Sequence, residues 1–472
     1  MEHPMIRKKC PCCFREISNE EADILIRDHE IRLHSPILND LISPREDEKY
    51  ARFWENMGNS QNVLETNRII ITNEMIAEAN EELEETGMVP IEKTFDEQSQ
   101  GYVLTIREDS MIVVSNTMAC PHCHNILPQN FFRYDMISIG LAGSVATGKT
   151  VFMASLMMNG FRILNKANMT VRNAHGNPLD PEKIKMERIS QKLFKDQICP
   201  DPTNKSFQQP VYLEMNLKLE KENRTFLVTF YDVAGETIRN EAGSGKTIFA
   251  RHVDGIIFFV DPSQMFLRQP IPLKTTVDEK KILSSMRLLS PAEQAAMQRD
   301  NKMRGSQPVW LDFGTSFEEE DENLNYERNP ETILDSLRMG IGDSELGNKY
   351  IALTVAKCDQ LSELEEFREI PASSLLFERP DLKNGWMDMD HHVVRQKILE
   401  HVFEEKVYHL QRNVGEYKGS ALFCISALGC ETRQEEYQQA MITRAVSPIR
   451  PIRVEEPFLW LLMKQMQERG WI

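Results

Sequence analysis

A strand, a glycine-bounded turn and a helix follow one another between residues 136 and 158, and little else in the chain restricts its fold as tightly. The turn is Gly143-Ser144-Val145-Ala146-Thr147-Gly148-Lys149-Thr150, which fits the spacing G-x-x-x-x-G-K-T. The apolar run Met136-Ile137-Ser138-Ile139-Gly140-Leu141 precedes it, and the helix-forming run Val151 to Met158 follows it. That order turns a short pattern into a physical site. The glycines let the backbone curl so that successive N–H groups face phosphate oxygens, the helix N-terminus adds partial positive charge, and Lys149 adds a full one. Thr150 offers a hydroxyl to Mg²⁺. The expectation is a nucleoside triphosphate site made of Gly143, Ser144, Val145, Ala146, Thr147, Gly148, Lys149 and Thr150.

Further strand-like runs each end in a polar group that suits the same ligand. Arg224 to Tyr231 leads into Asp232-Val233-Ala234-Gly235-Glu236. There Asp232 suits a water-mediated hold on Mg²⁺, and the Gly235 N–H can approach a γ-phosphate without steric hindrance. Gly255 to Asp261 is another buried-strand run, and Tyr350 to Ala356 runs into Lys357-Cys358-Asp359. A carboxylate at 359 can accept from both N1–H and the 2-amino group of guanine, a donor pair adenine lacks, while the Lys357 stem lies along the base. Finally, Ala421 to Ile425 enters Ser426-Ala427-Leu428, whose backbone suits the guanine O6.

Taken in this order, residues 133–472 resemble a translation-factor-class P-loop GTPase of the Ras-like superclass. More narrowly, two cysteine knuckles, Asp232-Val-Ala-Gly-Glu236 and Phe258-Phe-Val-Asp-Pro-Ser263 resemble the bacterial double-GTPase-type proteins with an N-terminal zinc ribbon. The resemblance implies GTP/GDP and Mg²⁺ as ligands, with Lys149, Thr150, Asp232, Gly235 and Glu236 as the catalytic set. It also implies a multi-gene defence or conflict system, with an effector or activator protein the sequence does not identify. Two positions depart from the family. Ala356 stands where Asn or Thr ties the base loop to the phosphate loop, and Glu236 stands where Gln orients the attacking water. A carboxylate near γ-phosphate oxygens is repelled, so turnover is expected to be slow or to need a partner's cation. A GTP-binding scaffold or adaptor with negligible hydrolysis, and an ATPase of the same fold, remain open alternatives. Thr203 is the candidate second Mg²⁺ ligand, with an ordinary polar loop as its alternative. Gly243-Ser-Gly-Lys-Thr247 is read as a switch-region segment and not a second phosphate loop, because no strand precedes it.

Nine cysteines without a signal-peptide pattern argue against a disulfide framework. Cys10-Pro11-Cys12-Cys13 and Cys120-Pro121-His122-Cys123 both read C-P-x-C, a turn that lets two thiolates face one metal. Together they predict a tetrahedral Zn²⁺ site of Cys10, Cys13, Cys120 and Cys123, with Cys12, His122 and His124 as alternative ligands. Redox use of one pair is the competing reading. Cys199, Cys358, Cys424 and Cys430 are read as small buried residues.

The expected organisation is a zinc ribbon from 1–17 and 118–130, an acidic α+β insertion over 18–117, and a G domain over 131–472. That domain is expected to be doubly wound α/β with a mostly parallel sheet, an antiparallel edge strand at 211–219, and insertions near 303–345 and 360–388. The segment 18–117 carries 22 acidic and 8 basic residues, most of the net charge of −17, which disfavours nucleic acid binding there. No apolar run approaches the roughly 20 residues a bilayer span requires, so a cytoplasmic location is expected. The amphipathic stretch Glu456 to Met466 is expected to pack on the sheet, with a dimer or effector helix as its alternative, and oligomerisation through the G domain is open.

Overall fold

The structure is a computed structural model that describes residues 3–57, 67–144, 146–160, 164–165, 168–173, 181–200, 210–218, 223–232, 248–262, 329–363, 382–383, 386–437 and 440–472. Its N-terminal part begins with β1 (Arg7–Lys9) and β2 (Glu16–Ser18), an antiparallel hairpin around the first cysteine pair. Then come β3 (Asp23–Ile26), α1 (Pro36–Leu41), β4 (Arg45–Glu46), α2 (Glu48–Asn56), β5 (Asn67–Ile71) and α3 (Asn73–Thr86). A meander of β6 (Glu92–Asp96), β7 (Gly101–Glu108) and β8 (Met111–Ser115) precedes β9 (Met118–Ala119). Strands β4, β5, β3 and β9 form one sheet in that order.

Local chemistry sets these elements. Thr72 caps α3 by accepting from the Met75 N–H at 3.3 Å, and Gly87 closes it at φ 71°. Ile76, Ala79 and Leu83 recur on one face and are buried there, while the glutamates of the helix face water. Residues from both cysteine pairs and from the acidic segment between them share one core: Cys10, Ile17, Ile24, Ile69, Leu83, Leu104, Cys120 and Phe131 belong to a single cluster.

The second body is a seven-stranded sheet. Its strands are β10 (Met136–Gly143), β11 (Met169–Asn173), β12 (Val211–Lys218), β13 (Asn223–Asp232), β14 (Gly255–Val260), β15 (Tyr350–Val355) and, after the short β16 (Leu382–Lys383) and β17 (Trp386–Met387), β18 (Gly419–Cys424). The spatial order is β11-β12-β13-β10-β14-β15-β18. Strands β13, β10, β14, β15 and β18 run parallel, so their carboxyl ends lie on one rim. The antiparallel strand at 211–218 is not the edge that the sequence suggests. β11 pairs with its outer side from Met169↔Leu217 to Asn173↔Leu213, so β12 gains a hydrogen-bonded neighbour on both flanks.

Helices cover both faces, as a parallel sheet requires. They are α4 (Lys149–Ser155), which continues as a π-helical turn over Leu156–Gly160, then α5 (Pro181–Lys195), α6 (Ile248–His252), α7 (Pro330–Ile341), α8 (Asp343–Leu346), α9 (Met389–Val414) and α10 (Glu456–Glu468). Alternation along the strands assigns the layers. Ile257 and Phe259 pack with Phe152 of α4 and Phe458 of α10, whereas Ile256, Phe258 and Val260 pack with Phe249, Leu334 and Phe403. The α10 helix is buried along most of its length, with Trp460 edge-on to both Tyr350 and Phe423. A hairpin, β19 (Thr432–Tyr437) and β20 (Ala440–Ala445), follows β18. Among the described residues no helix is long and apolar enough to cross a membrane.

Candidate nucleotide and metal sites

At the carboxyl end of β10 the backbone turns at Gly143 with φ 140°, and a Cβ there would press into the Phe259 carbonyl of the neighbouring strand. Only glycine fits both constraints. Ala146 and Gly148 are also left-handed at φ 61° and 84°, and Gly148 is the N-cap of α4. Nothing lies within 4 Å of a Cβ built on Gly148, so this side of the turn opens outward. Thr147 Oγ1 donates to the Ser144 carbonyl at 2.9 Å. Lys149 Nζ arches back to the Gly143 and Ser144 carbonyls at 3.1 and 3.0 Å. The result is a closed turn with an ammonium inside it, at the positive end of a helix. Thr150 Oγ1 donates to Asp232 Oδ2 at 3.0 Å, joining the start of α4 to the end of β13. A hydroxyl and a carboxylate held side by side form an oxygen donor set that suits Mg²⁺.

The next two strand ends supply a second cluster. Lys357, left-handed at φ 51°, places Nζ 2.6 Å from Asp261 Oδ2 at the end of β14. Burial raises the Asp359 carboxyl above its usual range, while a hydrogen bond with Ser426 works against that rise. The loop after β18 is pinned at several points. The Cys358 N–H donates to the Ile425 carbonyl at 2.9 Å, the Gly429 N–H donates to Ser426 Oγ at 2.7 Å, and Ser426 pairs with Ile452 through both backbone groups. Behind Ile452, Arg453, Glu456 and Arg395 form a buried ion triad. Ser155 of α4 donates its hydroxyl to the Ala427 carbonyl at 2.7 Å, linking the helix of Lys149 to the loop of Ser426, Ala427 and Leu428.

The two cysteine pairs fold alike. In each, the first cysteine N–H bonds a carbonyl five residues on (Arg15, Asn125), and its own carbonyl accepts from the residue four on, which is left-handed (Phe14 at 59°, His124 at 50°). The Cys12 and His122 N–H groups point at the Cys10 and Cys120 sulfurs, each at 3.4 Å. The pairs meet face to face, so that Cys10, Cys13, Cys120 and Cys123 sulfurs lie within 4.8 Å of one another, and all are free thiols. Burial pushes the Cys10 and Cys123 thiols up, whereas sulfur hydrogen bonds from Cys10 hold Cys13 and Cys120 down. Four convergent sulfurs with backbone donors behind them fit a tetrahedral divalent ion such as Zn²⁺.

Two of the alternative ligands, Cys12 and His124, are engaged elsewhere, whereas the His122 side chain is exposed. Cys12 Sγ lies 3.5 Å from the Tyr212 hydroxyl, and the Tyr231 hydroxyl donates to the Pro11 carbonyl at 2.8 Å. His124 is clasped by Asp47 at 2.7 Å and Asp23 at 3.3 Å. Burial opposes its charged form, but the two carboxylates outweigh burial and raise its pKa. Arg68 completes this cluster by bonding Asp47 at 3.2 Å and the His124 carbonyl at 2.8 Å.

The sequence-derived set is therefore brought together in part. Gly143, Ser144, Ala146, Thr147, Gly148, Lys149, Thr150, Asp232, Lys357, Asp359, Ser426, Ala427 and Leu428 gather along one rim of the sheet. Val145, Thr203, Gly235 and Glu236 lie outside the described residues, as does the segment 243–247. Arg251, which by its place after the switch-region segment could be expected to reach a phosphate, is not near the rim. Its Nε donates to the Gly340 carbonyl, and its helix α6 enters β14 at the strand's amino end. Reading the sequence alone missed Asp261 as the partner of Lys357, Ser155 as the tether to Ala427, and the tyrosine pair under the first knuckle. Asp261 ends an apolar run and so carried a signal; the others depend on contacts between distant segments.

A comparison with curated proteins finds no match. Residues 137–369, the stretch from β10 to just beyond the Lys357–Asp359 loop, match the family model for Double-GTPase 2, so over that stretch the chain is similar to a GTPase-type family.

Proposed function

We propose that the chain binds GTP and Mg²⁺ on the carboxyl rim of the seven-stranded sheet and hydrolyses GTP to GDP and phosphate as a molecular switch. One observation carries this reading: the Lys149 turn, the Thr150–Asp232 pair and the Lys357–Asp359 loop share a rim, tied together by the Ser155–Ala427 hydrogen bond. The family match supports the guanine-nucleotide class.

In this reading the turn amides and Lys149 neutralise phosphate charge, and the α4 dipole adds to them. Thr150 and Asp232 would hold Mg²⁺, which when bound would supply positive charge against the phosphate oxygens. Asp359 accepts from the guanine N1–H and 2-amino groups, and the Lys357 stem, braced by Asp261, covers the base. Gly235 is assigned to γ-phosphate sensing, Glu236 to the attacking water, and Thr203 to the metal by sequence order. The four-sulfur site has a structural role.

Glu236 favours a second reading, a GTP-binding scaffold with negligible turnover, because a carboxylate beside γ-phosphate oxygens is repelled. Phosphate release from purified protein separates the two; a rate no higher than that of Lys149→Ala leaves the scaffold. The first test is competition of GTP against ATP for labelled nucleotide. Lys149→Ala should weaken both by about 100-fold, since it deletes charge-assisted bonds to phosphate. Equal affinity of parent and variant would remove the phosphate assignment, and preference for ATP would replace guanine with adenine.

A further inference from the structure

We infer that Ser155 is the positioning residue of the base-reading loop, doing the work that a side chain at position 356 cannot do. This rests on the proposed guanine site. Residue 356 is alanine, and its backbone N–H is spent on the Val260 carbonyl at 2.9 Å, so the residue before Lys357 offers no polar side chain to join base loop and phosphate turn.

Ser155 supplies that junction from the opposite direction. It closes the regular part of α4, two turns after the Gly148 cap, and it is fully buried. A helical serine ordinarily bonds the carbonyl four residues back on its own helix or faces water. This one donates instead to the Ala427 carbonyl at 2.7 Å, across 272 residues of sequence. Because a peptide unit is planar, fixing the Ala427 carbonyl fixes the orientation of the Leu428 N–H as well. Ser426, one residue earlier, is pinned by Ile452 and Gly429 and bonds Asp359. The route from phosphate to base is thus short: the helix whose first residues are Lys149 and Thr150 ends on a hydroxyl that sets the plane beside Ser426.

The role predicts selectivity as the readout. Ser155→Ala should weaken GTP and GDP about 3- to 10-fold, the effect of one lost hydrogen bond, mainly through faster release. ATP, held chiefly by the phosphate turn, should be little affected, so the GTP-over-ATP ratio falls. Ser155→Thr should keep parental selectivity, and adding Ala356→Asn to Ser155→Ala should restore part of it. Equal weakening of GTP and ATP would mean that Ser155 merely packs the helix, and unchanged GTP release would remove the role altogether. A parent protein with no guanine preference would instead sink the guanine reading, an outcome separate from either.

Discussion

Thr150 Oγ1 and Asp232 Oδ2 stand 3.0 Å apart although 82 residues separate them in the chain. Helix α4 and strand β13 are thereby fastened at the point where both meet the rim. In the proposed site, Asp232→Asn keeps the shape but loses the charge that helps hold Mg²⁺. Hydrolysis should fall about 10- to 100-fold, the range for a hydrogen bond to a charged group. Single-turnover phosphate release over a Mg²⁺ titration checks this; a rate and Mg²⁺ dependence equal to the parent's would displace Asp232 from the metal.

The two neighbouring cysteines of the first knuckle should behave differently. Cys13 belongs to the four-sulfur cluster, whereas Cys12 faces Tyr212. Metal analysis of Cys13→Ser should show zinc lost, with a thermal midpoint lower by roughly 10 °C, because ion binding is folding energy for such a site. Cys12→Ser should retain about one zinc per chain. Zinc loss in Cys12→Ser with retention in Cys13→Ser would reverse the ligand assignment.

Glu455 gives the protein a pH signature. Burial pushes its carboxyl from 4.5 up to about 7. The folded chain holds this proton more tightly than the unfolded chain, so stability falls as pH rises from about 4.5 to about 7 and levels off above. Glu455→Gln should flatten that slope and stabilise the protein by about 3 kcal/mol above pH 7. Urea unfolding at several pH values measures it; parallel curves for parent and variant would exclude Glu455 as the source.

Asp359 should show opposite signs in two assays. In the proposed site its raised carboxyl must be ionised to accept from guanine, so GDP affinity should weaken with falling pH earlier than an ordinary carboxylate would allow. Protonation relieves the cost of burial, so this residue's contribution to nucleotide-free stability should improve over the same interval. Asp359→Asn should flatten the affinity profile and shift preference toward xanthine nucleotide. A profile unchanged by the substitution would release Asp359 from base reading.

The sheet's inner strands are legible in the sequence because burial on both faces writes them as continuous apolar runs, as in Gly255-Ile-Ile-Phe-Phe-Val260. Glycine spacing and paired cysteines are legible for a similar reason, since a local turn dictates them. The strand β11 is not: Met169-Thr-Val-Arg-Asn173 alternates like any half-exposed edge, and only its pairing with β12 defines it. The C-P-x-C spacing points to Cys13, but the place of Cys12 is not legible, because its neighbour Tyr212 lies some 200 residues away. Ser155 was equally hidden. A serine in a helix carries no mark of its use until the loop after β18 arrives beside it.

The tyrosines under the first knuckle bear on how the chain can be dissected. Tyr231 and Phe249 pack in the same cluster as Phe14, Trp54 and Met57 from the amino-terminal side, and Phe14 stacks on His252. Severing the polypeptide ahead of Met136 would strip this aromatic seam of its cover and expose it to water. A trimmed fragment carrying only the seven-stranded sheet and its helices should consequently clump, and the sulfur cluster is better regarded as part of the wall of that body than as an appendage to it.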